Sequence, residues 1–268
     1  MLHLMAAPSH PLAAPPSRSS ILCVTLAERP DLGEPIAQLS SAPWPEFLRH
    51  DAAVNRWWSR LSATFPAFQM ALCDETGAVV AAARAVPLVW TGAVEDLPLT
   101  IGAVLERGFA DHAGGRTPTA LAALAAVVAS SHQCRGLSYD LIRAMSQAAA
   151  AHGLGAVIAP VRPIWKARYP LTPMERYVGW TREDGSPFDP WIRVHWRLGA
   201  ERLAVMPEAM LIAGTVGEWE AWTQMRFPES GTYVVPGALQ PVQIDRERDS
   251  GRYADPNVWM RHPIDPSR

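Results

Sequence analysis

Lysine is all but missing from this chain: Lys166 stands alone among 24 basic residues. With 26 acidic residues against them, the formal net charge is -2. That near-balance leaves no basic field to hold nucleic acid or an anionic membrane surface. The arginine bias accompanies a composition rich in Ala and Pro and needs no dedicated phosphate-binding surface to explain it. Cysteine is scarce too. Cys23, Cys73 and Cys134 are widely spaced and odd in number, which argues against a disulfide framework and against a paired zinc-ligand pattern. A reducing, cytoplasmic setting is the simplest one. No apolar run approaches the ~20 residues that cross a bilayer. Residues 1–20 include Pro8, Pro11, Pro15 and Pro16. They lack the basic start and unbroken apolar stretch of a signal peptide, and read as a disordered lead-in. Also absent are a Gly-x-Ser-x-Gly elbow, a Walker loop, a His-Glu-x-x-His helix and a Gly-x-Gly-x-x-Gly fingerprint.

What is present is apolar content for one sizeable core, 49% of 268 residues. Ile21–Leu26 is a short β-rich run. Phe47, Leu48, Val54, Trp57, Trp58 and Leu61 recur at helical spacing. Two apolar runs, 67–73 and 78–90, flank the turn signal Asp74-Glu75-Thr76-Gly77 and predict a hairpin. Residues 99–112 predict a helix closed by Gly114-Gly115. An apolar strand over 119–129 is followed by the polar loop 130–138. A helix over 139–152 ends at Gly153 and Gly155. Residues 156–160 then predict a buried strand, which makes a βαβ-like unit. The Pro- and aromatic-rich excursion from Val161 to Pro190 has weak periodicity. Beyond it come a helix over 191–198, a strand over 210–215, a short helix over 218–225, a bent strand over 233–244 and a last edge strand over 258–262.

The loop before the 139–152 helix is where the chemistry points. A helix start leaves backbone N–H groups unpaired and carries partial positive charge, so an anionic phosphate can be held there without lysine. Gly136 lets the backbone come close to a ligand. Arg135 adds a charge-assisted contact, and Ser138 is placed to cap the helix or to bind an oxygen. An ordinary connection between strand and helix would look much the same. Cys134, although beside a helix start, has no readable Cys/His/Asn arrangement for covalent catalysis.

The stretch Val128-Ala129-Ser130-Ser131-His132-Gln133-Cys134-Arg135-Gly136-Leu137-Ser138 resembles the acyl-CoA signature of the GNAT superfamily of N-acyltransferases. That signature reads Gln/Arg-x-x-Gly-x-Gly/Ala after a buried strand. Gln133 and Gly136 match, and Ser138 stands where Gly or Ala is usual. The order of elements over roughly residues 21 to 262 is similar as well. Ile192–Ala200 resembles the family's late helix, with His195 at the usual tyrosine. Pro236-Gly237-Ala238-Leu239-Gln240-Pro241-Val242 resembles the tail of a group of actinobacterial GNAT-like proteins.

The resemblance implies an α/β chain with the GNAT fold. Its centre would be a mixed, mostly antiparallel sheet flanked by helices. Residues 21–268 would form one acyltransferase domain, with 161–190 inserted before the last core helix. It implies acetyl-CoA or a longer acyl-CoA as co-substrate, no metal, and direct attack of an amine on the thioester. Val127, Val128 and Ala129 would offer N–H groups to the thioester carbonyl, helped by a bulge there. Gln133, Cys134, Arg135, Gly136, Leu137 and Ser138 would hold the donor. His195 is the first candidate acid, with Tyr177 and Tyr169 as substitutes, although each also has an ordinary packing role. No carboxylate stands out as base. Trp57, Trp58, Trp219 and Trp222 read as core, whereas Trp165, Trp180 and Trp191 are candidates to line a pocket. The acceptor would be a small-molecule or peptide amine. An acyl carrier protein as donor, a non-catalytic acyl-CoA-sensing module and a homodimer all remain compatible with the sequence.

Overall fold

The computed structural model describes residues 21–41 and 44–264; the lead-in at 1–20 lies outside them. In chain order the elements are β1 (Leu22–Thr25), α1 (Gly33–Ser41), α2 (Ala52–Trp58), α3 (Leu61–Thr64), β2 (Gln69–Cys73) and β3 (Val79–Leu88). There follow α4 (Ile101–Ala113), β4 (Ala120–Val128), α5 (Leu137–Ala151), β5 (Ala156–Val161) and α6 (Met174–Tyr177). The chain closes with α7 (Pro190–Arg197), β6 (Glu201–Gly214), α8 (Val216–Thr223), β7 (Gly231–Tyr233), β8 (Val242–Asp245) and β9 (Ser250–Pro263).

All nine strands join one sheet in the order β1-β2-β3-β4-β5-β9-β8-β7, with β6 on the remaining side of β9. Among the described residues only β4 and β5 pair in parallel, and the other ladders are antiparallel. The mixed, mostly antiparallel α/β architecture is therefore as expected. Alanine-rich β3 and β4 are buried over most of their length, and their small side chains let helices come close. On α4, a Cβ at Gly108 would sit 2.3 Å from Val86. Ile36 of α1 packs with Ala71 and Ala82 in a smaller core cluster. Thus α1 and α4 cover one face, while α5, the crossover between the parallel strands, packs on β2, β3 and β4.

Several expectations need correction. The last strand is neither short nor at an edge: β9 lies between β5 and β6, with Val258, Trp259 and Met260 buried. Its polar N-terminal half hid its length, because Asp255 is buried by pairing with Arg162. β6 starts at Glu201, well before Met210, and its irregular register around Pro207 masks the alternation. The bent strand is two strands, β7 and β8, paired through a loop. α1 has no counterpart among the elements expected from the sequence.

The excursion is tied down by one carboxylate. Asp189 caps α7 through Oδ1, which accepts from Trp191 N and Ile192 N. Its Oδ2 accepts from Trp165 N at 2.8 Å and from the Tyr177 hydroxyl at 2.9 Å. Around it Trp165, Tyr169, Tyr177, Trp180 and Phe188 pack ring against ring. These aromatics therefore serve as a local core. Below them the fully buried Lys166 donates to the carbonyls of Tyr169 and Leu239. Desolvation lowers its pKa to about 8. Arg162 forks onto both oxygens of Asp255 and also donates to the Gly237 carbonyl. Tyr253 accepts from Leu239 N, so the 236–242 segment is latched to the root of the excursion.

Asp189→Ala should lower unfolding free energy by about 2–4 kcal/mol, since it strips a cap and leaves buried donors unpaired. Tyr177→Phe, which removes one hydroxyl only, should cost about 1 kcal/mol. Urea denaturation of both variants, read at unchanged slope, checks the ranking.

Candidate active site

β4 and β5 begin side by side and then part. Their ladder joins Ala120, Leu121 and Ala122 to Ala156, Val157 and Ile158, although β4 continues to Val128 and β5 to Val161. Two residues beyond the last pair, β4 bulges against β3. Arg84 faces Ala125 and Ala85 faces Ala123, which leaves Leu124 unmatched. An extra residue bends its strand and sharpens the twist, so the bulge turns the outer half of β4 away from β5. The bulge thus lies at Leu124, and not at Val127–Ala129 as expected, where β4 keeps an unbroken register with β3.

The ladder also sorts the N–H groups. Ala129 N donates to Val80 O at 2.9 Å. Antiparallel strands alternate the direction of their N–H groups, so Val127 shares that orientation while Ala126 and Val128 point toward the gap. Of the three expected donors, Val128 is the one directed at the opening.

After β4 the chain makes a single 3-10 turn over Ser130–His132 and reaches α5 through Gln133, Cys134 and Arg135, all exposed. Cys134 has φ 61 and Gly136 φ 84. Left-handed backbone is strained for residues with a Cβ. A Cβ at Gly136 would meet nothing within 4 Å, so backbone conformation, and not crowding by the protein, calls for glycine there. Gly136 is the N-cap and supplies no side-chain oxygen. Ser138 lies inside the first turn, so it does not cap the helix. The N–H groups of Gly136, Leu137 and Ser138 consequently have no partner among the described residues. A cluster of this kind at a helix start is suited to an anion.

His195 and Tyr177 are not set up as acids. His195 is 3% exposed, its Nδ1 lies 2.9 Å from Nε2 of His262, and its Nε2 has no partner among the described residues. Burial, and then the charge of His262, push its pKa down to about 3. Burial holds His262 at about 4. An imidazole that is unprotonated at neutral pH has no proton of the needed acidity to give. The hydroxyl of Tyr177 is committed to Asp189; burial, then that carboxylate, raise its pKa. Tyr169 packs against Tyr177 and Trp180 in the same aromatic group.

A cavity of ≈ 280 Å³ opens beside the bulge. Leu124 forms its floor, with Trp58 and Val54 of α2, Ile101 of α4 and Met210 of β6 as walls. Ser40, Ser41, Trp44, Leu48, Arg49 and Asn55 complete the lining. Two of the tryptophans at the cavity are therefore Trp44 and Trp58, whereas Trp57 stacks on Phe109. Behind Trp58 lies Arg84, 2% exposed, donating to Gln69 Oε1 and Ser62 Oγ. Its guanidinium stands 5.2 Å from the Trp58 ring. Desolvation lowers the pKa of Arg84 to about 10, and no carboxylate pairs with it among the described residues. The sequence offered one signal of this residue: a lone arginine inside an alanine-rich strand.

No family model matches the chain. It is 30% identical over 271 residues to arginine N-acetyltransferase avaD of Aspergillus versicolor, across 90% of this chain and 93% of that protein. The chain belongs to the GNAT superfamily of N-acyltransferases. Among solved structures, the loading GNATL domain of CurA from Lyngbya majuscula overlays with a TM-score of 0.62 at 18% identity. That match covers 91% of this chain and 98% of the domain. The GNAT-like decarboxylase GphF, solved with isobutyryl-CoA, overlays at 0.52 with 18% identity over 92% of this chain and all of that one. Both support the fold.

The chain is thus an N-acyltransferase of that superfamily. No group of three metal-ligating side chains occurs among the described residues. No described helix is long and apolar enough to cross a membrane.

The buried imidazole pair should make this enzyme acid-sensitive. Both folded pKa values, about 3 and about 4, lie below the ordinary 6.5. The unfolded chain therefore binds more protons below pH 6.5, and stability falls as pH drops through the window from 6.5 toward 4. Between pH 7.5 and 5 the wild type should lose about 2–4 kcal/mol. His262→Phe should show a clearly shallower loss in urea titrations at the two pH values.

Proposed function

We propose that this chain acetylates the amine of a small molecule, using acetyl-CoA, at the open edge of β4. The observation that carries the reading is the parting of β4 and β5 beside the unpaired N–H groups at the start of α5. In this reading Gly136, Leu137 and Ser138 bind the pyrophosphate through their backbone, with Gln133, Cys134 and Arg135 around it. The pantetheine arm lies in the gap. Val128 N–H, together with Ala126 N–H, holds the arm and polarises the thioester carbonyl. Val127 and Ala129 contribute by keeping β4 on β3.

The amine reaches the thioester from the cavity at Leu124. Its nitrogen forms a bond to the carbonyl carbon, the carbon–sulfur bond breaks, and the thiolate leaves with the electron pair. The proton lost by the amine goes to solvent. A thiolate of pKa roughly 8.5, by analogy with cysteine, accepts a proton from water or buffer without a strong acid. His195 and Tyr177 are then positioning residues of α7 and of the excursion. The arginine N-acetyltransferase relative supports a small-molecule acceptor and makes arginine a reference compound.

Titration with CoA, acetyl-CoA, ATP and NADH, followed by thermal shift, tests the donor half. At a hundredfold excess over its dissociation constant a bound ligand adds about 2.7 kcal/mol. A rise confined to CoA species is expected, and Gly136→Val should abolish it while circular dichroism stays native. Indifference to every CoA species would remove the free-CoA donor and leave a carrier-protein donor carrying the same arm.

A further inference from the structure

The cavity at Leu124 has a chemical character that the family's name does not supply. Its walls are the indoles of Trp44 and Trp58 and the aliphatic groups of Val54, Ile101, Leu124 and Met210. No carboxylate lines it among the described residues, and the two residues between Ser41 and Trp44 are Ala42 and Pro43. The nearby Asp51 is spent: Oδ1 accepts from Val54 N and Oδ2 from Leu211 N. The charged side chain in the lining is Arg49, paired with Glu46, which does not line the cavity; Arg84 lies buried behind Trp58 without a paired carboxylate among the described residues. Aromatic rings can hold a cation, but Trp58 already has Arg84 beside its ring.

We infer that this cavity selects an acceptor whose end remote from the reacting amine is uncharged, apolar and about the size of one or two rings, and that it disfavours a guanidinium there. This rests on the acyl-transfer reading above. A guanidinium entering the cavity would lose its water, find no anion, and meet the field of Arg84; desolvating an unpaired charge is costly. An aryl group loses nothing of the kind and gains contact with the indoles. The volume, ≈ 280 Å³, lies just below the roughly 300–1,000 Å³ typical of ligand pockets, which suits a compact amine. Arg49, Asn55 and Trp58 are thereby specificity-determining residues.

The test is CoA release from acetyl-CoA with phenethylamine, tryptamine, arginine and agmatine as acceptors. The expected result is a kcat/KM at least tenfold higher for the two aryl amines than for arginine or agmatine. Asn55→Asp, an exposed change that also gives up the Asn55 Nδ2 bond to the Arg49 carbonyl, should narrow that ratio about tenfold through a lower KM for agmatine. Equal or better use of arginine or agmatine by the wild type overturns the inference and leaves acyl transfer standing. So does an Asn55→Asp ratio that does not move. Transfer to none of the four, in protein that binds CoA, instead overturns the small-amine acyl-transfer reading and the inference with it.

Discussion

The divergence of β4 from β5 after Ala122 is the constraint on which the rest of the site depends. Two parallel strands that stayed paired would consume each other's N–H and C=O groups and leave nothing for a donor. Here the pairing stops after three positions, and the unmatched Leu124 bends β4 outward. The ladder to β3 holds the other edge of β4 and decides which N–H groups point into the gap. One irregular residue thereby lies both where the two strands part and in the lining of the cavity beside them.

The two ends of the gap are built differently. At the α5 end the site is backbone: left-handed Gly136 starts the helix and leaves N–H groups free. At the Leu124 end it is side chains: tryptophans, aliphatic groups and a buried guanidinium on β3. The excursion between β5 and α7 is a third structure, bound through Asp189 to its own aromatics and through Lys166 and Arg162 to the 236–242 latch. Its concentration of rings and of the chain's one lysine suggests chemistry, yet Tyr177, Asp189, Lys166 and Arg162 are satisfied within it or by the 236–242 segment and Asp255. Burying a charge is tolerable only when it is paired or hydrogen-bonded, and Arg162, Asp255 and Lys166 each meet that condition. Arg84, like Lys166, meets it through neutral partners alone.

The sequence by itself determined a good deal. The apolar run over 119–129, the polar loop and the alanine-rich helix after it identified the β4–loop–α5 unit, because helix starts and buried strands carry local signals. Gln133 and Gly136 carried the family resemblance, and the position of Gly136 followed from a backbone conformation that glycine adopts freely. The low net charge and the lone lysine limited the partner classes. The tertiary structure alone decided the rest. Which N–H of β4 faces the gap depends on register with β3, and register is a relation between segments far apart in the chain. The bulge at Leu124 carries no mark in a run of alanines, leucines and valines. β9 looked like a short edge because its polar half is buried only by partners such as Arg162, and pairing across the sheet is invisible in sequence. His195 was placed by analogy with a tyrosine. Burial against His262 decides its charge state, and burial is a property of the assembled fold.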